Sequence, residues 1–257
     1  MVKTTYTIKI QTLREHRGGV QSPSSRRKPG PMPEMDTGLR RYDGTYENPF
    51  TKQDWLDYYS RKRIIQQWTQ VHLIGTIDCE KILEVGPALG LVTSLLVNIG
   101  YEVHTLDVGP RGFDYPDVPH HQKDICELRA AEIAGYDAIL CCETLEHIEW
   151  ERVGSVLSIF RDSGAKYLIV SVPYMAFQVF LEIYLNRSTF RQYFSMKKLH
   201  WRKDFTAEPP GGHQWEVGYK GYALRMWENR LKSSGWSIVT RDFTEHCRSV
   251  FHVLKAG

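Results

Sequence analysis

The sequence contains no long hydrophobic run and few cysteines. No stretch reaches the roughly 18 uncharged apolar residues of a membrane-spanning helix, and MVKTTYTIKIQTLREH at the amino terminus lacks the continuous apolar core of a secretory signal. The five cysteines are odd in number and include no Cys-x-x-Cys pair, and Cys141 and Cys142 are adjacent in a predicted buried strand. This pattern favours reduced thiols. We therefore expect a cytoplasmic protein without a membrane partner.

A strong charge imbalance is also missing. The 257 residues carry a net charge of +3, far below the basic footprint of a domain devoted to nucleic acid. Residues 1–49 contain RGGVQSPSSRRKPGPMPEMDTG, which is rich in Gly, Pro and Ser and poor in large apolar groups. Such a segment buries too little surface to offset its ordering entropy. We predict a flexible basic N-terminal arm over 1–49 and one domain over 50–257; an arm that closes over a ligand or contacts phosphates is the alternative.

Short apolar runs alternate with amphipathic segments from Lys81 onward. The runs KILEVG, YEVHTLDV, YDAILCCE and AKYLIVSVP predict strands, while GLVTSLLVNIG, DICELRAAEIAG and WERVGSVLSIFRDSG predict helices between them. A further helix is predicted over 51–75, and SIVTRDF with SVFHVLKA predicts a final hairpin. Strands that alternate with helices indicate βαβ units. The predicted fold is α/β: a Rossmann-like, doubly wound, mainly parallel seven-stranded sheet with a terminal antiparallel hairpin.

The alternation stops after the fifth predicted strand. Residues 174–212 are rich in aromatic and aliphatic side chains and then become basic. We predict a helical insertion here that caps the substrate site. Its aromatic residues either form a small core of their own or line an apolar pocket. Its basic residues are either solvated or meet an anionic substrate.

The stretch ILEVGPALG, residues 82–90, runs from a predicted strand through a glycine turn into a helix. Such a turn lets a ligand approach the backbone closely at the strand ends. Asp107 follows 21 residues after Gly86, at the end of the next strand, where a carboxylate can accept hydrogen bonds from ribose hydroxyls. The loop reads G-x-x-x-G and therefore differs from the dinucleotide fingerprint G-x-G-x-x-G.

These motifs resemble those of class I S-adenosylmethionine-dependent methyltransferases over about residues 53–257. Glycine loop, ribose acid, Asp124-Ile125, YDAILCCETLEHI, LIVSVP and RLKSSGW occur in the family's order, although Pro87-Ala88 replaces the frequent Cys-Gly. The resemblance implies S-adenosyl-L-methionine as cofactor. It implies these cofactor-binding residues: Glu84, Gly86, Ala88, Gly90, Asp107, Asp124, Ile125, Cys142 and Glu143. From the residues alone, Glu84 also suits a strand-end ion pair, and Asp124 equally suits a helix N-cap.

The stretch CETLEHIEW, residues 142–150, contains Glu143, Glu146 and His147 just after the fourth strand. It resembles the E-x-x-E-H motif of small-RNA 3′-terminal 2′-O-methyltransferases, which with one later His binds a divalent metal at the terminal ribose hydroxyls. His213 in GGHQWEVGYKGY supplies a later His. The same motif is also common in methyltransferases that bind no metal. We favour no metal and keep Glu143, Glu146, His147 and His213 as the alternative metal site.

Methyl transfer is an in-line displacement that needs orientation and, for a protonated nucleophile, a base. Candidate bases at the carboxyl ends of the strands are His147, Tyr174, His213 and Glu216. The predicted function is methyl transfer to an oxygen or nitrogen of a small-molecule, peptide or natural-product acceptor. A metal-dependent RNA ribose 2′-O-methyltransferase is the first alternative, with RNA or another anionic substrate as partner. A non-catalytic binding module with the same fold is the second.

Overall fold

The computed structural model describes residues 50–257, except positions 114, 116, 198, 199, 210 and 245–247. The predicted basic arm, residues 1–49, lies outside the described residues. Five α-helices and nine strands are found in the described part. The helices are α1 Lys52–Tyr58, α2 Arg61–Ile74, α3 Leu91–Ile99, α4 Trp150–Asp162 and α5 Leu224–Ser233. The strands are β1 Lys81–Val85, β2 Glu102–Asp107, β3 His120–Gln122, β4 Ala138–Cys142, β5 Tyr167–Pro173, β6 Gln178–Leu185, β7 Phe190–Lys197, β8 Trp236–Phe243 and β9 Ser249–Ala256.

Seven strands form the main sheet in the order β3-β2-β1-β4-β5-β9-β8. Strands β1 to β5 pair in parallel, whereas β9 runs antiparallel to both β5 and β8. The chain winds outward from β1 to β3 and then returns to β4 on the other side of β1. This reversal opens a crevice at the carboxyl ends of β1 and β4, which is where ligands bind in open α/β sheets. The predicted fold class is confirmed.

Alternate residues of each buried strand pack on opposite faces of the sheet. Leu83 and Ile139 contribute to a core with Phe160 of α4 and Trp227 of α5. Their neighbours Ile82 and Leu140 contribute to the opposite core, with residues of α2 and α3. Because both faces are covered, the strands read as continuous apolar runs. None of the helices in the described part is long and apolar enough to cross a membrane.

The insertion occurs after the fifth strand, as predicted, but the predicted helical cap is wrong. Within 174–212, β6 and β7 form an antiparallel hairpin that pairs Gln178 with Lys197 and Leu185 with Phe190. The physical reason is a period of two in QVFLEIYL, where apolar side chains alternate to one face. Asn186 makes the turn by accepting a hydrogen bond from Ser188 N at 2.9 Å.

Two predicted helices also differ in the structure. The helix predicted over 51–75 begins at the Thr51–Asp54 capping box, but it is divided at Ser60, which caps α2 by accepting from Arg63 N. The helix predicted for DICELRAAEIAG is a turn followed by a short 3-10 segment, Ala130–Ile133. There the Asp124 carboxylate accepts from Cys126 N at 2.7 Å and competes with helical backbone bonding.

Candidate active site

The glycine loop lies at the carboxyl end of β1, where a ligand can reach its backbone. Gly86 has φ +73°, and a Cβ there would overlap the Thr144 side chain, which follows β4. Gly90 has φ +76° and begins α3, and a Cβ there would overlap the Phe113 ring. Both positions therefore require glycine because of their backbone conformation and their close neighbours. The loop leads directly into the N-terminus of α3.

Ala88 stands in place of the glycine that is frequent in the methyltransferases the sequence resembles, and it takes the glycine conformation. Its φ is +49°, in the left-handed region that a Cβ disfavours. The substitution therefore keeps the path of the loop at a cost in backbone strain. The structure resolves the question raised by the sequence GPALG: the loop closes without the second glycine.

Glu84, the fourth residue of β1, is buried directly below the loop. Its carboxylate accepts a hydrogen bond from Thr93 Oγ1 of α3 at 2.6 Å. Burial raises the pKa of Glu84 to about 7, although the Thr93 bond acts in the opposite direction. No lysine ion pair to Glu84 is found among the described residues, so the strand-end ion pair does not explain this acid. A positively charged ligand group above the loop would favour its ionised form.

Asp107 and Asp124 lie near the carboxyl ends of β2 and β3. Asp107 Oδ1 accepts from Gly109 N at 2.9 Å, and burial raises the pKa of Asp107. Asp124 caps a turn rather than a helix, as described above. A cavity of about 440 Å³ opens beside it. The cavity is lined by Val108, Gln122, Lys123, Asp124, Glu127 and Glu132.

Ile125, Cys142 and Glu143 differ in how far they reach the crevice. Ile125 and Cys142 are buried in the two cores. Glu143 has a left-handed backbone with φ +51°, and its Oε1 accepts from Ser171 Oγ of β5 at 2.9 Å. Its left-handed φ marks strain at the end of β4, which is typical of functional sites. Burial raises the pKa of Glu143 despite the bond from Ser171.

Sequence reasoning missed a group of residues contributed by α1 and α2. The Arg63 guanidinium lies 4.0 Å from the centre of the Tyr58 ring. Burial raises the pKa of the Tyr58 hydroxyl, Arg63 opposes this, and Glu143 and Glu84 contribute to the rise. Gln66 is buried and donates to Ser249 Oγ at 3.3 Å. The sequence carries no local signal for this group, because its place is decided by tertiary packing.

Glu146, His147 and His213 come together at the end of β4. One ligand atom of each lies within 4.8 Å of the other two. Glu146 and His147 belong to the 3-10 turn Leu145–His147, and the segment with His213 is held beside it by Gln214 N donating to Glu146 O at 2.7 Å. The rings of His147 and His213 meet edge to face, with centres 5.0 Å apart. The sequence separates these residues by 66 positions, and the fold brings them together.

Each histidine of this cluster has one ring nitrogen fixed by an acceptor. Nδ1 of His147 lies 2.9 Å from the Gly211 carbonyl, which can only accept, so this nitrogen carries the hydrogen. Nδ1 of His213 lies 2.9 Å from Glu216 Oε1 in the same way. Nε2 of each ring is therefore left with its lone pair. Histidines that ligate metals are oriented by such second partners.

Glu146 is completely buried, and neither of its carboxylate oxygens has a hydrogen-bond partner within the described part of the chain. Its Oε1 lies 4.0 Å from His213 Nε2. Burial raises the pKa of Glu146 well above its usual range, and the charges of Glu143 and Glu216 add to this. An unpaired buried carboxyl costs free energy unless a ligand or cation compensates it.

The other predicted catalytic residues take different positions. Glu216 is buried and orients His213, with Arg248 3.6 Å from its Oε2. Tyr174 packs its ring against Phe243, with centres 5.1 Å apart. Glu143 is not part of the three-residue cluster, because its Oε1 is held by Ser171. The structure thus groups three of the four residues of the alternative metal site.

No family model and no curated protein matches the sequence. Solved structures do match its fold. The N-methyltransferase NodS from Bradyrhizobium japonicum WM9, solved with S-adenosyl-L-homocysteine, is 12% identical, with 80% of this chain and 93% of that chain covered and a TM-score of 0.53. The methyltransferase domain of bacterial CtHen1-C is 16% identical, with 77% and 100% covered and a TM-score of 0.52. The glycopeptide N-methyltransferase MtfA, solved with S-adenosyl-L-methionine, is 12% identical, with 78% and 96% covered and a TM-score of 0.51.

At these identities the likeness concerns the fold. The chain has the fold of class I S-adenosylmethionine-dependent methyltransferases. Its nine predicted cofactor residues all belong to β1, to the glycine loop or to the carboxyl ends of β2, β3 and β4 and the residues just after them. This is the edge of the sheet where α/β proteins bind their ligands.

Proposed function

We propose that this chain is an S-adenosylmethionine-dependent methyltransferase whose acceptor is a hydroxyl group held at a divalent cation. The observation that carries the proposal is the Glu146 carboxylate, fully buried with no hydrogen bond to either oxygen. It faces two imidazoles whose Nδ1 atoms are already occupied. A buried polar group in a native structure calls for a partner, and this geometry leaves room for a cation.

S-adenosylmethionine fits the crevice through complementary chemistry. Glu84 offers a buried carboxylate to the methionine ammonium group, and that charge would lower the pKa of about 7 that burial now gives it. Asp107 offers the ribose acceptor, and Asp124, which lines the cavity near β3, offers an acceptor for the adenine amino group. Arg63 supplies a cation on the α2 side for the methionine carboxylate. When bound, the cofactor supplies a methyl group on a sulfonium.

The cluster's donor set suits a borderline divalent cation. One carboxylate oxygen and two imidazole nitrogens match Mn²⁺, Fe²⁺, Co²⁺ or Zn²⁺ better than Mg²⁺, which prefers oxygen. Glu146, His147 and His213 would hold it, and Gly211 and Glu216 would orient the two rings. When bound, the cation would lower the pKa of a hydroxyl that ligates it, which favours its reaction as a nucleophile.

The protein's own part in the reaction is orientation and charge. The protein around the His147 ring lowers its pKa, and the neighbouring His213 adds to this, so the ring stays neutral near pH 7 with Nε2 free. The glycine loop and Glu143 define the methionine end of the crevice, next to the cluster. An acceptor hydroxyl at the cluster would therefore lie beside the transferable methyl group, as an in-line displacement requires.

Among hydroxyl acceptors we place the 2′-hydroxyl at the 3′ end of RNA first. The sequence E-T-L-E-H followed by His213 resembles the motif of small-RNA methyltransferases, and the structure supports this grouping for Glu146, His147 and His213. A terminal ribose carries two neighbouring hydroxyls that can both approach one cation.

A second candidate function needs no metal. The lowered pKa of His147 makes the neutral ring a suitable general base at neutral pH. In that case the acceptor is an oxygen or nitrogen of a small molecule or peptide, as we predicted from the sequence. The two candidates differ in their response to chelation.

The test is a methyl-transfer assay with radiolabelled S-adenosylmethionine on protein stripped with a chelator. The acceptors are an RNA oligonucleotide with a 3′-terminal ribose, the same RNA ending in a 2′-deoxynucleotide, and a panel of small molecules and peptides. We expect transfer to the ribose-ended RNA only after Mn²⁺ or Co²⁺ is restored. Transfer to the deoxy-ended RNA should be absent.

Variants separate the two candidates further. Glu146→Gln should reduce transfer at least 100-fold because it removes the anionic ligand. Glu80→Gln, an exposed carboxylate outside the crevice, is the matched control and should have full activity. Full activity in the chelated enzyme would contradict the metal proposal and favour His147 as base. No transfer to any acceptor, together with no cofactor binding, would favour a non-catalytic binding module.

A further inference from the structure

The β6–β7 hairpin presents one apolar face to solvent. Cross-strand pairs place alternate residues of both strands on this face, which we call the hairpin face. Its members are Val179, Leu181, Ile183, Leu185, Phe190, Gln192, Phe194 and Met196. All eight are exposed, and Leu181 and Phe194, a directly opposed pair near the middle, are 59% and 62% exposed. Soluble monomers rarely leave a continuous apolar area of this size uncovered.

The opposite face of the hairpin makes contacts with α2. Glu182 forms an ion pair with Arg61 of α2 at 2.9 Å. The Lys62 ammonium lies 5.9 Å from the centre of the Tyr193 ring. Phe180 and Tyr193 pack on this same side, with ring centres 6.0 Å apart. These contacts join the hairpin to α2 through its opposite face, and the hairpin face is directed outward to solvent.

We propose that the hairpin face is a dimer interface, and that its occupant is the hairpin face of a second copy of this chain. The exposed apolar area of the hairpin face suits such an interface. The seven apolar side chains expose on the order of 700 Å² together, close to the ~800 Å² per partner of a standard interface. A two-stranded ribbon is also only marginally stable alone in water, whereas two ribbons packed face to face form a covered core.

The hairpin face is also complementary to a second copy of itself. Gln192 is the one polar side chain on the hairpin face, and it lies opposite Ile183. Its amide has both donors and an acceptor, so across a two-fold axis each copy can satisfy the other. An isologous contact needs this property, because the same patch must match itself.

The same features disfavour a lipid surface as the occupant. The hydrocarbon interior of a membrane offers no hydrogen-bond partner for the Gln192 amide. The described sheet of β6 and β7 has only two strands, so both of its outer edges carry unpaired backbone groups. Open edges are costly inside hydrocarbon, whereas at a protein–protein contact they stay hydrated at the rim.

The experiment is sedimentation velocity on the full chain from about 1 to 100 μM. We expect a species with twice the 29.9 kDa chain mass that dissociates on dilution. Leu181→Glu, in the middle of the hairpin face, should raise the protein concentration at which half of the dimer dissociates at least 100-fold. Ile99→Glu is the matched control, because Ile99 is equally exposed, at 57%, but lies at the end of α3. It should dimerise like the unmodified protein.

Several outcomes would overturn the proposal. One is an unmodified protein that stays monomeric to 100 μM, and another is a dimer that Leu181→Glu leaves unchanged. A third is Leu181-dependent binding of the full chain to phosphatidylcholine–phosphatidylserine vesicles without dimerisation. Circular dichroism confirms that each variant folds, and Phe194→Ser replaces Leu181→Glu if that variant does not. A charge-free change at the opposed position should weaken the dimer in the same direction.

Discussion

Ala88 shows how one side chain can carry a backbone strain that a glycine would avoid. A left-handed conformation costs a residue with a Cβ about 1–2 kcal/mol relative to glycine. Replacing alanine by glycine removes this cost, but glycine loses more conformational freedom on folding, which offsets part of the gain. We predict that Ala88→Gly raises the free energy of unfolding by about 0.5–1 kcal/mol, measured by chemical denaturation. Ala131→Gly, in the 3-10 segment without a positive φ, should instead lower it. A destabilised Ala88→Gly protein would show that the loop conformation is not strained.

Glu84 makes the stability of the cofactor-free protein depend on pH. Its folded-state pKa of about 7 is raised above the usual 4.5, so the folded form holds its proton more tightly than the unfolded form. This difference in proton binding stabilises the folded protein fully below pH 4.5, and the stabilisation is lost as the pH rises through about 7. The loss is on the order of 3 kcal/mol.

The test compares thermal unfolding of the wild-type protein and Glu84→Gln at pH 5 and pH 8 without cofactor. The wild-type protein should lose stability over this interval, and Glu84→Gln should lose less. Glu80→Gln, at an exposed position, should behave as wild type. Equal slopes for wild type and Glu84→Gln would show that Glu84 does not change its protonation on folding.

At the scale of elements, the segment that carries His213 depends on a close packing contact. Gly218 has φ +108°, and a Cβ there would overlap the Met175 backbone just after β5. Gly221 has φ +85° with open space around it. We predict that Gly218→Ala lowers the free energy of unfolding by about 2–3 kcal/mol more than Gly221→Ala does. Denaturation of both variants measures the difference, and equal losses would contradict the contact.

The alternation of strands and helices in the main sheet and the place of the insertion could be predicted from the sequence, whereas the hairpin within the insertion could not. Runs such as KILEVG and YLIVSVP are mostly apolar because helices cover both faces, and that pattern has few other solutions. In the hairpin, QVFLEIYL alternates only in part, because Phe180 and Tyr184 add large apolar groups to the second face. A short run that is apolar on both faces does not separate strand from helix by periodicity alone. Asp124 was similarly ambiguous, because its carboxylate caps a turn and a helix equally well.

The sequence predicts those residues of the candidate site whose positions follow from the order of strands along the chain. Glu84, Gly86 and Asp107 follow strands of known sequence order, so their positions at one edge of the sheet follow from topology. The contact between His213 and Glu146 depends on how residues 174–212 return to the sheet, which no local pattern encodes. The same is true of Arg63 and Tyr58, whose place over the crevice is decided by tertiary packing.

At the scale of the whole molecule, cofactor binding should stabilise the entire domain. A ligand at 100 times its dissociation constant adds about 2.7 kcal/mol to the free energy of unfolding. We predict that S-adenosylmethionine raises the melting temperature of the wild-type protein. Asp107→Ala should need at least 10-fold more ligand for the same rise. Asp57→Ala, at an exposed position of α1, is the control. An unchanged affinity in Asp107→Ala would contradict the ribose assignment.

Calorimetric titration of the metal-stripped protein with Mn²⁺ or Co²⁺ measures whether Glu146, His147 and His213 form a cation site. Because the pKa of Glu146 is raised, binding should release a proton and strengthen as pH rises. His213→Ala should bind at least 100-fold more weakly, and His72→Ala, an exposed histidine of α2, should bind as wild type. We expect one cation per chain, and we expect His213→Ala to lose it. No binding, or binding that His213→Ala and Glu146→Gln both leave unchanged, would show that these residues do not form a cation site.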